Sequence, residues 1–154
     1  MRKSSPVRAV VDINVLFSGL ITKSGAPFEI LEMWRATRLR LRVSEEILAE
    51  YQRVLARPAF VTRFAFSEAD AQAIVSQFRQ EERVVVDASF QIPVTCRDPK
   101  DQTYLTAAVA AAVPYLISGH DDLLACAGDP GLEGVRIVRP GEFLERLDRQ
   151  GEFE

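Results

Sequence analysis

The chain has 154 residues, a length that suits one domain with a substantial core. Hydrophobic residues make up 47% and charged residues 27%, the balance of a globular protein, and the net charge of -3 excludes a general attraction to nucleic acid. A nucleic-acid site must then be a local patch. Cys96 and Cys126 lie too far apart for a zinc motif and are expected to be reduced thiols of a cytoplasmic protein.

The N-terminus has basic residues before an apolar run, which is the arrangement of a signal peptide. Asp12 and Asn14 interrupt that run, however, and a secretory core seldom tolerates such residues. No uninterrupted apolar stretch is long enough to span a bilayer. We therefore expect a cytoplasmic location and no membrane partner.

Taken in chain order, short segments rich in valine or alternating between apolar and polar residues predict β-strands at residues 7–12, 39–44, 83–86, 115–118 and 135–138. Amphipathic or alanine-rich segments predict helices at residues 26–38, 44–58, 67–82, 98–113 and 141–149. Ser44 and Asp98 suit N-caps, and Ser67 has capping-box spacing with Asp70. The alternation predicts an α/β fold with a mainly parallel sheet of about five strands.

Carboxylates occur where such a sheet binds ligands, beyond the carboxyl ends of its strands. Asp12 ends the first strand, Asp122 follows the fourth, and Asp101 begins the alanine-rich helix with Asp98 beside it. Glu50 falls on the border of the apolar face of its helix, which is costly for a carboxylate unless it is paired or binds a cation. Three of these residues have a structural alternative. Asp12 and Asp101 can stabilise a turn or helix start, and Glu50 can extend to solvent or pair with an arginine.

Carboxylates that converge repel one another and need a cation, and an oxygen-only cluster favours Mg²⁺ or Mn²⁺. Two such ions can activate water and stabilise the leaving oxygen of a phosphodiester. The sequence contains no phosphate-binding loop, no glycine-rich dinucleotide turn and no serine elbow. A serine or cysteine nucleophile would need a histidine partner, and His120 is the only histidine in the chain. The predicted catalytic metal ligands are therefore Asp12, Glu50, Asp101 and Asp122.

The order and spacing of four segments resemble the PIN-domain family, and within it the toxins of toxin–antitoxin pairs. The segments are VVDINVLFSGLI, VSEEILAEYQRVLARPAF, CRDPKDQTYLTAAVAAAVPYLISGHDDLL and VRIVRPGEFLERL. The resemblance runs from about Val7 to Leu147, within a single predicted domain of residues 1–154. It implies a three-layer α/β/α fold, a nuclease that needs Mg²⁺ or Mn²⁺ and usually cuts RNA, and an antitoxin that covers the acidic cleft.

By motif, the resemblance carries the family's acidic positions to Asp12, Glu50 and Asp101, and its supporting positions to Asn14, Asp98, Ser118 and Gly119. Two positions depart from the family pattern. Ile13 stands where a small hydroxyl residue is usual, and His120 stands where an aspartate usually follows the glycine. Because Asp122 matches a second aspartate two places on, we expect Asp122 to supply the last carboxylate and His120 a weaker contact. His120 can also be an ordinary surface turn residue.

Three functions remain open at this point. The first, a metal-dependent ribonuclease, is favoured by the retained acidic residues. The second, favoured by His120, is a PIN-like domain with weakened catalysis that binds RNA or a protein partner. The third is a small-molecule phosphatase or phosphate-binding module, although an aspartyl nucleophile would want a second aspartate where Asn14 stands. Arginines between residues 35 and 57 can hold phosphates or form a solvated face. The formation of a homodimer is left open.

Overall fold

The centre of the computed structural model, which describes residues 5–58 and 67–150, is a parallel β-sheet. Its strands are β1 (Val7–Val11), β2 (Leu39–Leu41), β3 (Tyr115–Ile117) and β4 (Arg136–Val138). They stand side by side in the order β2-β1-β3-β4. Ala9 pairs with both Leu41 and Tyr115, so β1 is an inner strand. The predicted α/β class with a parallel sheet is confirmed.

The segment at residues 83–86 does not form the fifth strand that its valines predict. Arg83 makes one parallel bridge with Val43, and the Val84 N–H donates to the Val43 carbonyl oxygen at 2.8 Å. Val85 is 85% exposed. The pairing is this short because the chain turns from Val43 almost directly into the next helix, so little extended backbone is left as a partner.

Helices flank the sheet, and the helices predicted from the sequence are confirmed as α2, α3, α4, α5 and α7. The bounds are α1 Ile13–Ile21, α2 Ala26–Arg35, α3 Glu45–Leu55, α4 Glu68–Glu81, α5 Pro99–Ala110, α6 Asp121–Leu124 and α7 Pro140–Arg149, with a 3-10 turn at Pro130–Leu132. The sequence pattern does not predict α1, whose residues are almost all apolar, so that no polar face marks the helical period.

Side-chain caps determine where several helices begin. The Ser44 hydroxyl accepts the Ile47 N–H at 3.2 Å at the start of α3. Ser67 and Asp70 form the predicted capping box of α4, in which each side chain accepts the other residue's backbone N–H, at 3.0 and 3.1 Å. Asp98 caps α5, as its position before a proline predicts. These local signals are readable in the sequence because they depend on neighbouring residues only.

Close packing brings the starts of α5 and α6 to the carboxyl edge of the sheet. α5 packs on β1 and β3 and contacts α3 and α6, while α2 contacts α1, β2 and α7. Gly19 allows α1 to approach α2, because a Cβ atom there would lie 2.6 Å from the Pro27 carbonyl oxygen and 2.7 Å from Leu31 Cδ1. Within the described ranges, no helix combines the length and hydrophobicity needed to cross a membrane.

A buried carboxylate that no sequence pattern indicates joins the end of α4 to β2. Glu82 is 2% exposed, and its oxygens accept hydrogen bonds from Trp34 Nε1 at 2.7 Å and from the Leu41 N–H at 3.1 Å. Arg40 Nε donates at 2.9 Å and Arg42 Nη1 at 3.4 Å. These donors offset the desolvation of the buried charge. Two arginines of the locally basic segment are therefore engaged by Glu82.

Glu82→Ala is expected to lower the free energy of unfolding by about 3 kcal/mol, because it leaves the Trp34 and Leu41 donors buried without an acceptor. Glu81→Ala is the matched control, since Glu81 is exposed at the next position, and its effect should stay within about 0.5 kcal/mol. Denaturant unfolding of both variants measures the difference. Equal stability of the two variants would contradict the structural role of Glu82.

Candidate metal centre

Side chains from the ends of β1 and β3 meet at the carboxyl edge of the sheet. The Asp12 N–H donates to the Ile117 carbonyl oxygen at 3.1 Å, which extends the pairing of the two strands. The Ser118 hydroxyl donates to Asp12 Oδ2, and both residues are buried. The same Ser118 oxygen accepts the His120 N–H at 2.9 Å. Ser118 therefore ties Asp12 to the loop that carries His120.

Asp12 has a structural role of its own as the N-cap of α1. Its Oδ1 atom accepts the Val15 N–H at 3.1 Å. Asp12 therefore stabilises the turn after β1, as the structural alternative from the sequence proposes. Burial raises the pKa of Asp12, although hydrogen bonds from Ser118, Val15 and Asn14 oppose that increase. The ionised carboxylate is thus held at a cost in free energy, and a nearby cation would reduce that cost.

Asp101, His120 and Asp122 form a compact group of ligand-type atoms. One oxygen of each carboxylate and one ring nitrogen of His120 all lie within 4.8 Å of one another. Asp101 Oδ2 and His120 Nδ1 are 2.9 Å apart. The contact lacks hydrogen-bond geometry, and neither of these buried atoms has a hydrogen-bond partner among the residues that the structure describes. The two atoms are therefore in close electrostatic contact, but neither of them makes a hydrogen bond.

The charge distribution around Asp101 disfavours its ionised form. Burial is the main cause that raises the pKa of Asp101, and His120 opposes it. Repulsion from Asp98, Asp12 and Asp122 raises the pKa of Asp101 further. The carboxylates of the edge are therefore close enough to influence one another, although Asp12 is outside the group of three that lies within 4.8 Å.

The donor set of this group fits a divalent cation. Carboxylate oxygens are preferred ligands of Mg²⁺ and Mn²⁺, and an imidazole nitrogen extends the choice toward Mn²⁺ and Zn²⁺. Buried polar atoms are rarely left without a partner, and Asp101 Oδ2 and His120 Nδ1 face each other in that condition. A cation between them would satisfy both atoms and reduce the repulsion among the carboxylates.

Glu50 lies beside the group of three rather than within it. Its Oε2 atom accepts hydrogen bonds from Arg53 Nη2 at 2.6 Å and from Arg53 Nε at 3.2 Å, which is the structural alternative that the sequence left open. It also lines a shallow pocket with Lys100 and Tyr104. Burial, and then the charges of Asp12 and Glu50, raise the pKa of Tyr104. Tyr104 thus lies near both Asp12 and Glu50.

The remaining predicted site residues occupy different positions around the edge. Asn14 is exposed on α1. Asp98 is partly buried and accepts the Lys100 N–H at 2.9 Å as the cap of α5. Asp122 is partly exposed, and Arg97 Nε lies 3.9 Å from its Oδ1 atom.

Two buried tyrosines hold the backbone on either side of Asp12. The Tyr51 hydroxyl donates to the Val11 carbonyl oxygen, and the Tyr104 hydroxyl accepts the Ile13 N–H at 3.2 Å. Burial raises the pKa of both tyrosines. The helical period places Tyr51 on the core face of α3, but no pattern in one sequence indicates that its hydroxyl supports a site.

Carboxylates at the carboxyl edge of a parallel sheet suit metal-dependent phosphodiester chemistry. A profile described as PIN domain matches residues 8–122, and the chain belongs to the PIN domain family. PIN domains are generally nucleases that depend on divalent metals. A comparison with curated proteins finds no match.

Five chains of solved structures match this fold. One comes from the crystal structure of VapBC2 from Rickettsia felis bound to a DNA fragment from their promoter. It has a TM-score of 0.55 and 12% sequence identity, and the alignment covers 86% of this chain and 98% of that chain. At this level of identity the similarity establishes a shared fold.

Asp101→Asn is expected to raise the melting temperature by about 3 °C at pH 7 in metal-free buffer, because it removes a buried charge that its neighbours repel. Since the pKa of Asp101 is raised in the folded protein, its ionisation reduces stability above the unfolded pKa, and this penalty is absent below that value. The gain should therefore disappear near pH 3, below the unfolded value of about 3.9. Melting curves at both pH values measure it.

Asp121→Asn is the control for that measurement, because the Asp121 side chain is 94% exposed on the same short helix as Asp122. It should leave the melting temperature nearly unchanged at both pH values. A gain for Asp101→Asn that is equally large at pH 7 and pH 3 would show that packing, rather than charge, causes it.

Proposed function

We propose that this protein is a divalent-metal-dependent endoribonuclease and the toxin of a toxin–antitoxin pair. The observation that carries the proposal is the group of Asp101, His120 and Asp122, in which two buried atoms lie 2.9 Å apart without a hydrogen bond. Membership of the PIN domain family supports a nuclease. RNA is the proposed substrate, the cytoplasm the proposed location, and Mg²⁺ or Mn²⁺ the proposed metal.

In this proposal the ligands of the cation are Asp12, Asp101 and Asp122, with His120 as an additional or water-mediated contact and Glu50 facing the same cleft from α3. When bound, a divalent cation lowers the pKa of water and offsets the negative charge of a phosphodiester. The Ser118 hydroxyl fixes the Asp12 carboxylate, and the hydroxyls of Tyr51 and Tyr104 fix the backbone on either side of it.

Basic side chains at the rim of the cleft are the proposed contacts for the RNA backbone. Arg97 is highly exposed and lies near Asp122, and exposed Lys100 lines the pocket beside Glu50. Their charges can bind phosphates next to the scissile bond. They are better placed for this role than Arg40, which Glu82 engages on the far side of β2 from β1.

A PIN-like domain that binds RNA or a protein with little cleavage is the second candidate. It is favoured by His120, which lies 2.9 Å from Asp101 and stands at the sequence position where, by the resemblance, the family usually has an aspartate. The two candidates differ in one measurable property, because only the first requires RNA cleavage that stops when the metal is removed.

The proposed partner is an antitoxin that covers the acidic cleft and inserts a basic residue into it. The fold that this chain shares with a component of the VapBC2 structure supports the proposal. We expect a small protein encoded by the adjacent gene to co-purify with this chain and to suppress its nuclease activity. If expression of this chain alone is harmless to cells and no small protein co-purifies, the antitoxin part of the proposal fails.

Purified protein is expected to cleave single-stranded RNA with Mg²⁺ or Mn²⁺ and to stop when a chelator is added. Asp12→Asn should abolish cleavage, because the amide keeps the size of the side chain but removes the charge. Asp129→Asn, outside the cleft on an exposed turn, is the control and should cleave normally. Gel assays of labelled RNA measure all three proteins. No cleavage by wild type with either metal would favour the binding module.

His120→Asp is expected to tighten Mg²⁺ binding by about tenfold in calorimetry, because it adds a hard charged ligand. His120→Ala should change the rate of RNA cleavage little, whereas Asp122→Ala should nearly abolish it. In metal-free buffer His120→Asp should also lower the melting temperature, since it places another carboxylate beside Asp101. Normal cleavage by Asp122→Ala, with unchanged Mg²⁺ affinity in His120→Asp, would contradict the roles proposed for both residues.

A further inference from the structure

The two cysteines, which are far apart in the sequence, meet beside Asp122. Cys96 Sγ and Cys126 Sγ each lie 3.6 Å from the same atom, the carbonyl oxygen of Asp122. The two thiols also influence each other, because Cys126 adds to the increase that burial causes in the pKa of Cys96. Because both sulfur atoms lie beside one oxygen atom, we expect that an adjustment of the side chains can bring them to the bonding distance of a disulfide.

The two thiols differ in accessibility. Cys96 is buried and Cys126 is partly exposed. Burial, with a smaller contribution from Cys126, raises the pKa of the Cys96 thiol. An oxidant from solution therefore reaches Cys126 first, and Cys96 is placed to act as the second thiol.

The thiol pair also lies near both helix starts of the candidate metal centre. Cys96 precedes Asp98, the cap of α5, by two residues, and Asp101 lies in the first turn of that helix. Both thiols contact the backbone of Asp122 in the first turn of α6. α6 has only four residues, so few hydrogen bonds of its own hold Asp122 in position.

We propose that Cys96 and Cys126 form a peroxide-sensitive thiol pair, whose oxidation to a disulfide weakens divalent-cation binding at Asp101, His120 and Asp122. The inference concerns regulation of the proposed metal site and rests on that proposed function. It agrees with the general observation that the rare disulfides of cytosolic proteins are usually redox-sensing or catalytic.

The oxidation balances with one molecule of hydrogen peroxide. The Cys126 sulfur gives up its proton and attacks one peroxide oxygen, the O–O bond breaks, and a sulfenic acid and one water molecule form. The Cys96 sulfur then attacks the sulfenic sulfur and gives up its proton, so that the S–S bond forms and a second water molecule leaves. Two thiols lose two electrons in total, and the peroxide gains them.

Oxidation would act on the metal centre through Asp122. A disulfide has no S–H group, so the Asp122 carbonyl oxygen loses both thiol contacts at once. The new bond also draws the segment before α5 toward the end of α6. Changes in the groups that support metal ligands typically alter metal affinity about 10–100-fold. Asp122, held on a single helical turn, is the ligand that this movement displaces.

The test uses the full chain, first reduced and then treated with hydrogen peroxide. Mass spectrometry after alkylation counts free thiols and maps disulfides, and calorimetry with Mn²⁺ measures affinity before oxidation, after it and after re-reduction. We expect an intramolecular Cys96–Cys126 disulfide, a loss of Mn²⁺ affinity of about tenfold or more, and recovery on reduction. In Cys126→Ser and Cys96→Ser, peroxide should leave the Mn²⁺ affinity of each variant unchanged.

The outcomes separate this inference from the proposed function. Absence of an intramolecular disulfide would overturn the thiol pairing, whatever the metal affinity. A disulfide that leaves Mn²⁺ affinity unchanged would overturn the coupling, as would an equal loss of affinity in the single-thiol variants. Reduced wild type that binds no Mn²⁺ would instead overturn the proposed metal site, and the coupling with it, even if the disulfide forms.

Discussion

The hydrogen bond between the Ser118 hydroxyl and the Asp12 carboxylate joins the ends of two central strands and holds a buried charge between them. The same two residues connect to the rest of the edge, because Asp12 caps α1 and Ser118 accepts the His120 N–H. The geometry of the edge therefore depends on strand ends and helix starts rather than on long loops. Residues on strand ends and helix starts are suited to holding ligands at fixed positions.

The same edge contains groups that lower the stability of the folded protein. Burial raises the pKa of both Asp12 and Asp101, which means that their ionised forms oppose folding. Tyr51 and Tyr104 hold the adjacent backbone and keep this arrangement from relaxing. Functional sites commonly retain such unfavourable groups because the ligand compensates for them. A cation that binds here would stabilise the folded state by its own binding free energy.

Much of the fold is predictable from the sequence, because helix caps and strand patterns depend on neighbouring residues. The starts of α3, α4 and α5 show this. α1 is not predictable in the same way, since an almost wholly apolar helix lacks a polar face. The valine-rich segment at residues 83–86 has the composition of a strand, but only Val43 is extended beside it.

For the candidate site, the sequence indicates the edge of the sheet where the residues lie but not the contacts between them. Strand ends and helix starts indicate that Asp12, Asp101 and Asp122 belong to one edge, yet they cannot indicate which atoms meet. The 2.9 Å contact between Asp101 and His120 depends on how α5 and β3 pack. The meeting of the two thiols depends on packing in the same way.

The carboxylate of Glu82 has a consequence for how this chain meets other chains. β2 is the outer strand on its side of the sheet, and the backbone N–H groups of an outer strand can pair with a strand of another molecule. Glu82 accepts the Leu41 N–H, a hydrogen bond that a fifth strand would otherwise supply, and Arg40 and Arg42 place positive charge along the same border. The Glu82 side chain thus occupies a backbone N–H group that a strand of another molecule could otherwise bind. Edge-to-edge aggregation is therefore disfavoured at this border.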